Sequence, residues 1–447
     1  MNMKLIVGKD ITIENPNGAI LDYCKNQLTL DNPDYIIASK LGRYVGRMNK
    51  SIKLYAKNGN KLILPFGCLE DIWQPILIRG AEYETRFHDF RGNQMKGEIK
   101  LYDYQERALK RLYDGKNGIL EAPCGSGKTQ IGLALIKKSG GRALWLTHTH
   151  KLMTQSLERA KSYFDGDFGT ITEGEAHIGR DITFATVQTM RTLDARVYEN
   201  EFDIVIVDEC HHCVGTPTKV MQFYKVLTNC NARSKIGLSA TLSRGDNLIR
   251  CVYAIIGKKL HTITEEEVGS KIIKAKHVKV EIGFDYSMRD YCDCDGTINY
   301  AKLITMLSER AERNDIIVEK VMNLYSLGKK QLVLCHRVNQ VKELSDRISR
   351  FCKVNCIVGS VRDKNREYDG DVIIATYALA KEGLDIPALD VVHFATPQKD
   401  KAIVKQSAGR VERNIEGKEQ PLVMDYVDTK IGYCNMCYRK RFNILKK

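Results

Sequence analysis

No apolar run in the sequence approaches the roughly 18 residues that a membrane span needs, and Met1–Asp10 lacks the roughly 7–15-residue apolar core of a secretory signal. These absences exclude a membrane-spanning chain and lead to the expectation of a soluble, cytoplasmic protein. Its 14 cysteines are then expected to be mostly reduced thiols. No segment is low in complexity and no short-period repeat recurs, so fibrous and solenoid architectures fall away. Acidic residues are in deficit: Lys plus Arg number 69 against 55 Asp plus Glu, giving a net charge of +14 and a pI near 9.0. The excess is spread along the chain and no basic amphipathic helix stands out, which favours phosphate backbones over anionic lipid as the partner. On charge alone, a well-solvated basic surface remains the alternative.

What is present is organised around Gly118-Ile-Leu-Glu-Ala-Pro-Cys-Gly-Ser-Gly-Lys-Thr129, an apolar strand running into a glycine-rich loop that opens a helix. Gly125 and Gly127 let backbone N–H groups turn inward around an anion. Ser126 lies between them, Lys128 adds positive charge, and Thr129 has the hydroxyl to hold Mg²⁺. Ala122 stands where the strict phosphate-loop pattern has its first glycine. A second acidic site follows at the end of a buried strand, Ile204-Val-Ile-Val-Asp-Glu-Cys-His-His212. Asp208 is placed to bind Mg²⁺ and Glu209 to polarise the attacking water. Adjacent carboxylates ending an apolar strand are hard to explain structurally, because they are costly to desolvate unpaired.

Length predicts about three domains. Residues 1–97 carry short β-type runs, among them Tyr35–Ala38, and a hairpin signal at Lys57–Lys61 between Ser51–Ala56 and Leu62–Leu64. They read as a small α+β accessory domain. Its Lys40, Arg43, Arg47, Lys50 and Lys53, interleaved with Tyr44 and Tyr55, suit a nucleic-acid surface. Apolar runs then alternate with helical patterns, which predicts α/β architecture with two parallel sheets flanked by helices, over 98–260 and 301–430. Residues 261–300 break the rhythm and are expected as a connection, and 431–447 as a basic tail.

Taken in order, the motifs resemble those of superfamily 2 helicases over residues 98–430. Leu101-Tyr-Asp-Tyr-Gln105 resembles the adenine-side glutamine motif, Ala122–Thr129 motif I, Leu146–Gln155 motif Ia and Thr186-Val-Gln188 motif Ib. Asp208-Glu-Cys-His211 is similar to a DECH form of motif II and Ser239-Ala-Thr241 to motif III. Leu334–Arg337, Thr376–Pro387 and Gln406–Arg413 resemble motifs IV, V and VI.

The resemblance implies tandem RecA-like domains with ATP and Mg²⁺ between them. Gln105 would contact adenine, Asp385 ribose, and Gln406, Arg410 and Arg413 the phosphate side, the two arginines as fingers. His211, Ser239 and Thr241 would couple hydrolysis to movement, and Thr147, Thr186, Gln188, Arg337 and Thr376 would grip one strand. The DECH box, the Q-x-x-G-R-x-x-R motif and the short chain resemble the phage UvsW-type branch-migration helicases and their relatives around XPB and RecG. That implies forked or branched DNA with a single-stranded portion, in phage recombination, repair or replication, in the host cytoplasm. A duplex translocase, an RNA helicase and a motor-dead scaffold remain open. Cys292, Cys294, Cys434 and Cys437 offer a structural zinc site as the weaker alternative to ordinary buried thiols.

Overall fold

The computed structural model describes residues 2–46, 48–74, 80–123, 125–173, 175–213, 225–240, 242, 248–269, 273–358, 369–378, 389–412 and 418–446. The chain divides into two units, Met1–Glu267 and Val268–Lys447.

The first unit begins with β1 (Lys4–Val7), β2 (Ile11–Glu14), β3 (Thr29–Asp31), β4 (Ser51–Lys53), β5 (Ala56–Asn58), β6 (Lys61–Leu64) and β7 (Glu82–Thr85). Five of them form a sheet in the order β5-β6-β2-β1-β7, and β3 pairs separately with β4. Along β2 buried and half-buried positions alternate, as a sheet covered on one face requires.

Two local expectations are corrected here. Tyr35–Ala38 lies in a helix, Pro33–Lys40, rather than a strand. Asn32 caps it by accepting the N–H groups of Asp34 (3.0 Å) and Tyr35 (3.4 Å), and Pro33 fills a first-turn position that needs no N–H. That start signal outweighs the β-type run. In the hairpin, β6 pairs with β5 instead of Ser51–Ala56, so the turn tightens to Gly59-Asn60 with Gly59 at φ 59°.

The large sheet of this unit comprises β8 (Asn117–Glu121), β9 (Ala143–Thr147), β10 (Phe168–Thr172), β11 (Glu175–His177), β12 (Ile182–Thr186), β13 (Ile204–Val207), β14 (Ser234–Ser239) and β15 (Lys259–Thr262). Its order is β11-β10-β12-β9-β13-β14-β8-β15, and every pairing is parallel except β10 with β11. Every residue of β9, β12 and β13 is buried, which accounts for their continuous apolar character. One core runs from Leu5, Ile13 and Leu64 of the small sheet to Ile119, Leu144 and Val205 of the large one.

A buried lysine ties the two sheets. Lys235, in β14, donates from Nζ to the carbonyls of Leu227 (2.8 Å) and Lys9 (3.2 Å) and lies 4.9 Å from the centre of the Phe66 ring.

The second unit is a six-stranded parallel sheet of β16 (Lys276–Ile282), β17 (Gln331–Cys335), β18 (Val354–Ile357), β19 (Val372–Thr376), β20 (Val391–Phe394) and β21 (Leu422–Asp428), in the order β16-β21-β20-β17-β19-β18. The stretch expected only as a connection therefore supplies the end of β15 to one sheet and all of β16 to the other. The residues expected as a basic tail form a helix, Gly432–Lys446, that buries Cys434, Cys437 and Arg441. Arg441 donates from Nε and Nη2 to Asp425 (2.8 and 2.5 Å), and His277 Nε2 lies 3.0 Å from the same carboxylate. A lost partner there would strand a buried charge.

Two histidines make the second unit acid-sensitive. Burial holds His336 down at about 4, helped by Arg337 and Arg441, and holds the fully buried His393 at about 3. His393 is fixed neutral between Tyr426 Oη (3.0 Å) and Gln331 Oε1 (2.9 Å). Both folded values lie below the unfolded one, so the unfolded chain binds more protons once the pH drops through about 6.5. Stability should therefore fall by up to ~1.4 kcal/mol per pH unit for each histidine below that point. Thermal unfolding between pH 6.5 and 5, where most carboxylates stay ionised, should show a steadily falling midpoint for this unit. A flat profile there would contradict the assignment.

Candidate nucleotide site

Three parallel strands bring the site together at one sheet edge. In the order β13-β14-β8, the strand carrying Ser239 lies between the strand that leads to Asp208 and the one that leads to the glycine loop. The loop leaves β8 and caps the helix Lys128–Ser139 through Gly127, at φ 81°. Lys128 Nζ donates to the carbonyl of Ala122 (3.1 Å) and lies 3.9 Å from Glu209 Oε1. Loop and acidic pair thus meet through the two residues to which phosphate binding and water activation were ascribed.

Asp208 is 7% exposed and accepts the backbone N–H of Glu209 at Oδ1 (2.9 Å). Burial, reinforced by Glu209, pushes its carboxyl up to about 7, while Lys128 pulls the other way. Glu209 itself sits at φ 47°, a left-handed conformation that costs a non-glycine residue energy and is typical of functional positions. From there its Oε2 lies 3.3 Å from His211 Nδ1, which is 2.8 Å from Ser239 Oγ. A continuous path of close contacts therefore runs Lys128, Glu209, His211, Ser239.

Gln105, expected to meet adenine, is 1% exposed and uses both ends of its carboxamide within the chain. Its Oε1 accepts the Tyr102 N–H (2.9 Å), and its Nε2 donates to the Ser126 carbonyl (2.9 Å) and to Gln130 Oε1 (3.3 Å). Here it braces the glycine loop. Gln130 continues the brace by donating to Tyr163 Oη (2.7 Å), and Tyr104 Oη donates to the Ser126 carbonyl (3.3 Å). Neither residue was singled out from the sequence, where only the adjacency of Gln130 to Thr129 pointed to it.

The expected strand contacts are placed less uniformly. Thr147 is fully buried and its hydroxyl donates to the Thr149 carbonyl (2.9 Å), so it shapes the loop instead of facing outward. Thr186 caps the helix Val187–Thr192 by accepting the Thr189 N–H (3.2 Å), while Gln188 is exposed. In the second unit Thr376 ends β19, and Arg337 donates to Thr305 Oγ1 (3.1 Å) and the Ala301 carbonyl (3.0 Å). Gln406 and Arg410 lie in the helix Lys401–Val411. Thr241, Asp385 and Arg413 fall outside the described residues.

Among the described residues no cluster of three or more His, Cys, Asp or Glu side chains is placed to hold a metal ion. Cys294 is exposed, whereas Cys292, Cys434 and Cys437 are buried free thiols. No described helix is long and apolar enough to cross a membrane.

Residues 98–244 match the family described as type III restriction enzyme, res subunit, and that span holds the loop, the acidic pair and Ser239. The motor is that of a superfamily 2 helicase. Such a helicase uses ATP and binds nucleic acid. Related proteins include D10 of Escherichia phage T5, named as a probable helicase, at 25% identity over 75% of this chain and 71% of the relative. The L396 protein of Acanthamoeba polyphaga mimivirus, whose name proposes an ATP-dependent RNA helicase, is 25% identical over 92% of this chain and 80% of its own. Among solved structures, S. cerevisiae Dbp5 bound to RNA and ADP BeF3 shares the fold, with TM-score 0.56 and 18% identity over 77% of this chain and 88% of that one.

Gly127 gives a direct test of the helicase site. A Cβ there would collide with Gln105 Nε2 and come within 2.6 Å of Gln130 Oε1, on a backbone at φ 81°. Gly127→Ala should weaken ATP binding by roughly five- to hundredfold, in line with about 1–3 kcal/mol of backbone strain. Titration with a fluorescent ATP analogue measures it, and wild-type affinity in a folded variant would remove the brace from the account.

Proposed function

We propose that this helicase acts on forked or branched DNA that has a single-stranded portion, unwinding or migrating it at the expense of ATP. The observation that carries the motor half of the reading is the path Lys128, Glu209, His211, Ser239, in which a phosphate-binding cation, a water-activating carboxylate and a coupling pair are in contact. The DNA half rests on the net charge of +14, the basic N-terminal region and the similarity to a phage helicase.

In this reading Gly125, Ser126 and Gly127 cradle the phosphates and Lys128 neutralises them. Thr129 and Asp208 hold Mg²⁺, which supplies charge stabilisation for phosphoryl transfer. The residues fit such an ion. Asp208 is a buried carboxylate raised by burial and by its acidic neighbour, and Ser126 Oγ is a fully buried hydroxyl with no hydrogen-bond partner among the described residues. A cation beside them reverses the electrostatic disadvantage of both carboxylates. Glu209 then orients the attacking water, and Arg410 and Arg413 stabilise charge on the transferring group. Residues 1–97 are assigned to DNA binding and 98–260 and 301–430 to the two halves of the motor. An RNA substrate is the second reading, favoured by the name of the mimivirus relative.

Fork, Holliday junction, blunt duplex and RNA hybrid substrates compared under identical ATP conditions separate these readings. Forks and junctions should be processed, and Lys128→Ala or Glu209→Gln should abolish it. Activity on the RNA hybrid alone would overturn the DNA assignment, and triplex displacement without fork unwinding would make the chain a duplex translocase. Arg410→Ala should leave ATP binding largely intact while lowering turnover by ~10³–10⁵, the range attributed to arginine fingers. Unchanged turnover in that variant would remove the arginine from the mechanism.

A further inference from the structure

Between Asp34 and Glu70 the chain has no acidic residue and seven basic ones: Lys40, Arg43, Arg47, Lys50, Lys53, Lys57 and Lys61. Its first part, through Lys50, has no buried residue among those described, whereas Ile52, Leu54, Leu62 and Leu64 belong to the core. β3 and β4 form a two-stranded stem, in register from Thr29 with Lys53 to Asp31 with Ser51, and what they carry buries almost nothing. The helix Pro33–Lys40 has no buried residue at all.

On it and just beyond it, apolar side chains point outward: Ile37 is 55% exposed, Leu41 60% and Tyr44 84%. Large apolar groups clustered on a solvated projection call for a partner. Lys40, Arg43 and Lys50 are exposed on the same projection, with Lys50 Nζ 5.9 Å from the centre of the Tyr35 ring.

The projection is nonetheless a built element. Asn32, 6% exposed, donates from Nδ2 to the Asn49 carbonyl (2.8 Å) while capping the helix with Oδ1, and its backbone N–H donates to the Lys50 carbonyl (3.0 Å). One residue thus ties both legs of the stem. The Arg43 N–H donates to the Ala38 carbonyl (2.9 Å), which closes the last turn of the helix.

We propose that residues 29–53 are a DNA-engaging arm that sets Tyr44 and Leu41 against the terminal base pair at a fork, while Lys40, Arg43 and Lys50 hold the flanking phosphates. The charge decides the occupant: residues 29–53 carry five basic side chains against two acidic ones, Asp31 and Asp34, with none acidic after Asp34, and this basic surface with exposed ring and aliphatic groups complements a polyanion whose exposed ends are flat and apolar. A protein partner or a second copy would have to supply the missing negative charge, and the chain as a whole is strongly basic. Stacking of this kind tolerates any base, because every base has a π-face, and so suits a motor that must act on many sequences. The proposal rests on the reading of the chain as a DNA helicase and adds a contact outside the motor.

The test uses the full chain and equilibrium binding to a forked DNA and to a single strand of the same sequence at several salt concentrations. Tyr44→Ala should weaken fork binding roughly five- to hundredfold and single-strand binding less, with an unchanged thermal midpoint because the side chain is so exposed. Tyr44→Phe should restore it. Lys40→Ala combined with Arg43→Ala should flatten the slope of log affinity against log salt by about 1.8, the contribution of two duplex phosphates. If the wild type binds no forked DNA, the functional reading fails and takes the arm with it. If the wild type binds forks and the Tyr44 and Lys40/Arg43 variants bind them equally well, the arm alone is refuted. A dimer dissolved by Tyr44→Ala with fork binding intact would likewise overturn it and assign the surface to a second copy.

Discussion

The contact between Lys128 and Glu209 depends on strand direction. Their loops leave β8 and β13, which are not neighbours, and the two side chains can meet because both strands run the same way and end on one edge, with the parallel β14 between them. An antiparallel neighbour would send one loop to the far edge, some five residues away along the strands. The parallel arrangement in turn demands strands buried on both faces and helical crossovers, and this is why the motor's strands are unbroken apolar runs. β14, the strand in between, gains a position that touches the pair: its last residue, Ser239, reaches His211, which reaches Glu209. The contact between the acidic motif and the end of β14 is therefore a consequence of sheet order.

The site is also electrostatically unfinished in the chain alone. Two adjacent carboxylates end a buried strand with one lysine close by, and the carboxyl of Asp208 is raised by burial above the usual range. A fold selected for stability alone would not keep that arrangement, because replacing an imperfectly compensated buried charge by an apolar residue is often neutral or stabilising. The left-handed backbone at Glu209 adds strain to the same few residues. Both features make sense if phosphates and a cation complete the charge balance, and both are localised where the loops converge.

Much of this was legible in the sequence. The strand before the loop, the glycines and the adjacent carboxylates each carry a local physical signature, and they predicted both motor sheets and the contact between loop and acidic pair. What escaped had a different origin. The helix at Pro33–Lys40 was hidden because a β-type run follows an Asn-Pro-Asp start, and the capping chemistry is the stronger determinant. The helix at Gly432–Lys446 was hidden by its basic composition, although Cys434, Cys437 and Arg441 follow one another at three and four residues, the spacing of one buried face. The engagement of Gln105 with the glycine loop could not be foreseen, since its partners are a backbone carbonyl and a side chain 21 and 25 residues away. Sequence spacing reports which residues can share an element, not which hydrogen bonds a carboxamide will choose.

Lys235 carries the same lesson to the scale of the unit. In the sequence it begins an ordinary apolar strand, and a lysine there reads as a solvated edge. In the fold it is 1% exposed, its pKa lowered to about 8 by burial, and it donates to a carbonyl in the turn after β1. A buried ammonium is tolerable only while its acceptors are in place, so the small sheet cannot leave the motor sheet without stranding this group. The change of sequence pattern near residue 98 therefore marks a change of secondary structure, while the core and this lysine run across it. The same strand, β14, thus touches the accessory sheet through Lys235 at one end and His211 through Ser239 at the other.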